Sequence, residues 1–137
     1  MMQKSYSLLA ATLFASLLFS GCQHEEVSRH RITGTVTYHG TPVPAGAIFF
    51  EPDASQGNSG APSYAQIKDG KFDTAADGLG FIGGPHLVTI EAFDGKVTNG
   101  YAPQGAPLTK GKNYLKKFDF PQGDDVELHI EMTEVVK

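Results

Sequence analysis

The chain contains no tryptophan, one cysteine, and fewer basic than acidic side chains: 11 Lys and Arg against 15 Asp and Glu, a formal charge of -4 at pH 7 over 137 residues. A single thiol cannot close an intramolecular disulfide, so a domain of this size has to rest on its hydrophobic core. The acidic balance argues against a nucleic-acid partner, because phosphate-binding domains run basic. The length suits one ordinary domain and leaves no room for a second. Beyond Cys22 no stretch keeps the apolar period of an amphipathic helix, which argues against a helical bundle. What is abundant is turn chemistry. The 16 Gly and 8 Pro cut the chain into short segments, a pattern that favours strands joined by tight turns.

Motifs that carry chemistry are also missing. A serine hydrolase of the α/β type needs G-x-S-x-G, which Asn58-Ser59-Gly60 does not supply, and there is no H-E-x-x-H for a zinc peptidase. The D-x-D-x-D-G spacing that wraps a calcium ion is absent, so Asp69, Asp73, Asp77 and Asp94 read as turn-forming and solvated carboxylates. The chain therefore reads as non-catalytic, with no metal and no cofactor expected.

Met1 to Ser7 carries Lys4 and the free amine, and Leu8 to Phe19 is an uncharged apolar run. A helix over that run reaches only about 18 Å against a hydrocarbon core of about 30 Å, the mark of an export signal rather than a permanent span. Leu18-Phe19-Ser20-Gly21-Cys22 resembles the lipobox of bacterial lipoproteins, in which small residues precede a cysteine that is acylated and becomes the new amino terminus. Phe19 stands where that motif usually has Leu. The resemblance implies a signal peptide over 1–21, lipid on Cys22 and a cell-envelope location anchored in a membrane. Gln23 rather than Asp after the cysteine implies the outer membrane, with the protein facing the periplasm or the cell surface. Two or more acyl chains anchor stably where one is marginal. The competing reading is a plain secretory signal followed by an incidental thiol. Residues 22–31 read as a polar tether, at most about 30 Å long when extended. His24, Glu25, Glu26 and His30 are metal-ligating types, but nothing rigid fixes them, so a solvated linker is expected.

From Ile32 the pattern changes, and 32–137 is expected to be one all-β domain. Ile32, Gly34, Val36 and Tyr38 alternate with Thr33, Thr35 and Thr37, as a half-buried strand requires. Ala47 to Glu51 is a second strand, apolar on both faces and stopped by Pro52. Asp53 to Pro62 is too poor in apolar side chains to pack and reads as a surface loop. Tyr64 to Lys68 and Lys71 to Thr74 flank Asp69-Gly70, which takes the positive φ angles of a two-residue hairpin turn. Residues 75–85 read as a Gly-rich connection with one apolar tip, Leu79 to Ile82. His86 to Phe93 resumes strand character, and Val126, Leu128, Ile130 and Met132 alternate with polar residues in a last strand with one wet face. Strand signals at this spacing predict a β-sandwich.

Three stretches resemble a known family. Ile32 to Pro52 is similar to the opening of the carboxypeptidase regulatory-like domains of small bacterial lipoproteins, worded G-x-V-x-Y-x-G-x-P-V-x-G-A-x-I-x-F-x-P. Lys68 to Phe72 matches their D-G-x-F hairpin and Gly84 to Ile90 their late G-x-Y-x-V-x-V strand. The likeness implies a single Greek-key β-sandwich of about seven strands, transthyretin-like or Ig-like, without catalytic residues. His86 stands where the family often has an inward Tyr, which implies a partly buried ring. An alternative on the same fold is a transthyretin-like hydrolase or a metal-dependent enzyme. The hydrolase's terminal Tyr-Arg-Gly-Ser is absent, and His39, His86 and His129 lack a matching iron motif.

A membrane-anchored, monomeric module for binding an envelope protein or glycan, or for spacing, is the remaining expectation. Its candidate surface is Asp94 to Lys117, too long and too rich in Gly and Pro for an ordinary connection. Tyr101 and Tyr114 supply aromatics of the kind that anchor recognition. Lys110, Lys112, Lys116 and Lys117 form a basic cluster on an acidic chain that could attract an acidic glycan or headgroup. The simpler role for these lysines is to guard a sheet edge against pairing with other chains.

Overall fold

The computed structural model describes residues 28–77, 80–98 and 100–133. Residues 1–27, where the signal peptide, the lipid site Cys22 and most of the tether are expected, lie outside the described residues. Those described form an all-β fold: one eight-stranded, mostly antiparallel sheet curled around a single core. In chain order the strands are β1 (Ile32–Tyr38), β2 (Thr41–Pro42), β3 (Ala45–Pro52), β4 (Ser63–Lys68), β5 (Lys71–Asp73), β6 (Gly84–Phe93), β7 (Tyr114–Phe120) and β8 (Val126–Met132). They are ordered β2-β1-β5-β4-β3-β6-β7, and β8 returns to pair with β1. That last pairing is the parallel one, from Ile32 opposite Val126 to Tyr38 opposite Met132.

Alternation decides which side chains meet the core. Ile32 and Val36 of β1, Ile48 and Phe50 of β3, and Val88 and Ile90 of β6 are fully buried, while Thr33, Thr35 and Thr37 face outward. The last strand follows the same rule: Ile130 and Met132 are buried, and Glu127, His129 and Glu131 are exposed. The strand read as apolar on both faces is sided: Phe50 lies within 6.0 Å of the Phe72 ring and 6.1 Å of Phe120, whereas Phe49 turns outward beside Tyr64. Asp69 and Gly70 have φ of 50° and 73°, as the two-residue turn requires. His39-Gly40 makes a second such turn between β1 and β2, with φ of 49° and 75°.

Three connections differ from their sequence reading, each because a distant partner is involved. The loop after β3 is not all surface. Asp53 is buried, accepts from the Ser55 amide and hydroxyl, and takes a 2.9 Å ion pair from Lys117, while Asn58 donates to the Gly83 and Pro85 carbonyls. The apolar tip of 75–85 is no surface tip either. Phe81 is 1% exposed and packs edge-on to Phe120 at 5.3 Å and to His86 at 6.0 Å. His86 itself is fully rather than partly buried, with Nδ1 2.9 Å from the Gly84 carbonyl. Finally, the end of the tether belongs to the domain. His30 exchanges backbone hydrogen bonds of 2.9 Å with Phe81, Arg29 donates to the Gly80 carbonyl, and the Arg31 guanidinium grips Asp73 (Nε to Oδ1 2.8 Å). The chain enters at the end of the sheet where β1 and β6 begin.

Candidate recognition loop

β6 ends at Phe93, and the chain does not re-enter the sheet until Tyr114. The intervening segment is built, not slack. Asp94 organises it: Oδ1 accepts from the amides of Lys96 and Ala106, both at 2.9 Å, while the Asp94 amide donates to the Ala106 carbonyl at 3.0 Å. The Gly95 amide reaches the Gln104 carbonyl at 3.0 Å, and the Leu108 amide the Ala92 carbonyl at 2.9 Å. Two limbs are thereby zipped together at their base. Gly105 is required there, because φ is 90° and a Cβ would fall 2.0 Å from Asp94 Oδ1. The backbone N–H of Lys96, followed by that of Ala106, holds the Asp94 carboxyl below the ordinary carboxylate range.

Beyond the zipped limbs, Thr109 to Lys112 form a tight turn. Lys110 and Gly111 have φ of 54° and 78°, the Lys112 amide bonds the Thr109 carbonyl at 3.1 Å, and the buried Thr109 hydroxyl donates to the Lys112 carbonyl. Between limb and strand end lies a concavity of about 370 Å³ lined by Phe93, Tyr101, Pro103, Gln104 and Pro107. A smaller hollow of about 130 Å³ shares Phe93 and Pro107 and adds Thr109, Lys112 and Asn113. Tyr101 stands on the rim, 99% exposed. A rigid frame under an apolar hollow with a polar rim is what side-chain recognition needs, since little entropy remains to be lost on binding.

Of the aromatics expected at this surface, Tyr101 is there and Tyr114 is not. Tyr114 is the first residue of β7, opposite Ile90, 7% exposed, with its phenol pushed up by burial. It is a core residue because β7 begins four residues earlier than the loop reading allowed, and alternation turns its first side chain inward. The four lysines are not one patch. Lys110 and Lys112 sit exposed on the tight turn. Lys116 and Lys117 are consecutive on β7 and so point to opposite faces. Lys116 Nζ rests 5.3 Å over the Phe118 ring, and Lys117 is held by Asp53. Ser55, through its hydroxyl, and then Lys117 hold the Asp53 carboxyl below its ordinary value. Among the described residues β7 pairs with β6 alone, so these two lysines lie on a sheet edge, where charge hinders pairing with another chain.

The loop lies opposite the chain's entry. His30 is bridged to Phe81, just before β6 begins, and the loop starts where β6 ends, 10 residues on. At about 3.3 Å per residue that is about 30 Å. Sequence reasoning missed Asp94 and Gly105 as the loop's frame. An Asx-type turn at Asp94-Gly95 was the available signal. Comparison with family models and with curated proteins returned no match.

Proposed function

We propose that this chain is an envelope lipoprotein, exported by residues 1–21, acylated on Cys22 and held at the outer membrane. It carries a monomeric, non-catalytic Greek-key sandwich of the carboxypeptidase regulatory-like, transthyretin-like kind. Its role is recognition of an envelope protein or glycan through the loop of residues 94–113. The strand order supports the topology, since the last strand returns to the first and β3 lies between β4 and β6.

The observation that carries the recognition role is the framed loop with Tyr101 on its rim, at the end opposite His30. A spacer needs no such frame. Lipid on Cys22 would hold the entry end toward the membrane and leave the loop facing away. The test has two readouts on the detergent-extracted protein. Intact mass should show an acylated terminus at Cys22, and an unmodified terminus would overturn the anchor. Isolated envelope material should retain the wild-type chain but not a variant with the Val97–Gln104 stretch replaced by Gly and Ser; equal retention would overturn the recognition role.

A further inference from the structure

A second built feature lies on the outer face of the sheet, away from the loop. β5 is three residues long, and β4 meets it at a single register position, Lys68 opposite Lys71. β1 pairs with β5 on one side and β8 on the other, and over this part of the sheet lies a cleft of about 500 Å³. Over an apolar floor that includes Gly34, Phe72 and Ala76, it is lined by the outward side chains of Thr33, Lys68, Lys71 and Glu127.

The charges there are unevenly matched. Asp73, also at the cleft, is taken by Arg31 and by the Ala75 amide at 2.9 Å, which keeps its carboxyl below the usual range. Glu127 lies 3.6 Å from His129 Nε2, and His129 Nδ1 is 2.8 Å from the Thr35 hydroxyl. Lys68 and Lys71 have no ion-pair partner among the described residues. They close the Asp69-Gly70 turn from directly opposed positions on one face. Like charges so placed disfavour the sheet, and an anion between them reverses the sign of that interaction.

We propose that this cleft binds the carboxylate of an acidic sugar chain. The two ammonium groups hold the carboxylate as charge-assisted hydrogen bonds. The Thr33 hydroxyl and the Glu127 carboxylate, one donor-acceptor and one acceptor, face the ring hydroxyls on the β1–β8 side. A bare phosphate would use the lysines alone, whereas a sugar acid also brings hydroxyls that donate to the Glu127 carboxylate and accept from Thr33, so the mixed lining favours a sugar acid. The site requires neither the loop nor the lipid, and its failure would leave the recognition role of the loop untouched.

The test is titration of the full, detergent-extracted chain with an oligogalacturonate, its methyl-esterified form, and inorganic phosphate. The oligogalacturonate is expected to bind in a salt-dependent way and to shift the Thr33, Lys68 and Lys71 amide resonances. Lys68→Gln with Lys71→Gln should weaken it by about tenfold or more, while Lys110→Gln with Lys112→Gln should leave it unchanged. Equal binding of the esterified form, equal binding by the Lys68 and Lys71 variant, displacement by phosphate at matching concentration, or no binding of the oligogalacturonate would each overturn the assignment.

Discussion

The two ends of the sheet are held together by different means. At the entry end, Phe81, His86, Phe118 and Phe120 pack ring against ring. Arg31, Asp53 and Asn58 fasten the connecting segments to that end of the sheet through side-chain bonds. At the far end the described residues hold no comparable cluster, only the Tyr38–His39 ring pair at 4.4 Å. One carboxylate, Asp94, and a few backbone bonds frame a loop that leaves Tyr101 in solvent. Burial secures the first and hydrogen-bond geometry the second. A module with that division can alter its far end without unfolding, which is the usual arrangement of binding loops on a rigid scaffold.

The largest effect expected from breaking this contrast is at the entry end. Phe81→Ala removes a fully buried ring from the aromatic cluster and should cost about 3 to 5 kcal/mol in urea unfolding. A loss below about 1 kcal/mol would mean the cluster is not what secures that end.

Acid sharpens the contrast next. The Asp94 carboxyl is held low by the Lys96 and Ala106 amides, so its contribution is present above the unfolded carboxylate value of about 3.9 and is lost as pH falls through the folded value. The Asp53, Asp73 and Glu131 carboxyls are lowered too, so overall stability should fall in the same direction. Asp94→Ala, which removes the acceptor, should make amide exchange at Lys96 and Ala106 fast already at neutral pH while Val88 and Ile90 stay protected. Uniform acceleration would show that the loop is not a separate unit.

A smaller change of opposite sign is expected at Ser63. Its buried hydroxyl finds no partner among the described residues, so Ser63→Ala should be neutral or stabilising by about 1 kcal/mol. Destabilisation beyond that would mean the hydroxyl is bonded. The smallest effect belongs to Tyr101→Ala, within about 0.5 kcal/mol in the same unfolding measurement, because the side chain is almost wholly exposed.

The same division explains what the sequence revealed. Strands and the Asp69-Gly70 hairpin are written in neighbouring residues, through period two and turn chemistry, and were legible. Phe81 looked like a loop tip because its partners, His30 and Phe120, come from the two flanks of the chain. Arg31 looked like tether because Asp73 and Asp125 lie 42 and 94 residues away. The loop's position was legible from its length and composition, whereas its frame was not, since Asp94 bonds backbone amides that any residue provides. Tyr114 was misplaced by a strand boundary, the point at which local patterns carry least information.

The central claim is that the framed loop recognises an envelope partner independently of the cleft on the sheet face. The most direct measurement is equilibrium binding of the detergent-extracted chain to isolated envelope material across a salt series, with Tyr101→Ala, Lys110→Glu and Lys112→Glu combined in one variant. The account predicts that this variant loses salt-sensitive binding by about tenfold or more while its unfolding midpoint and monomeric state match the wild type. Unchanged binding by the folded variant would contradict it.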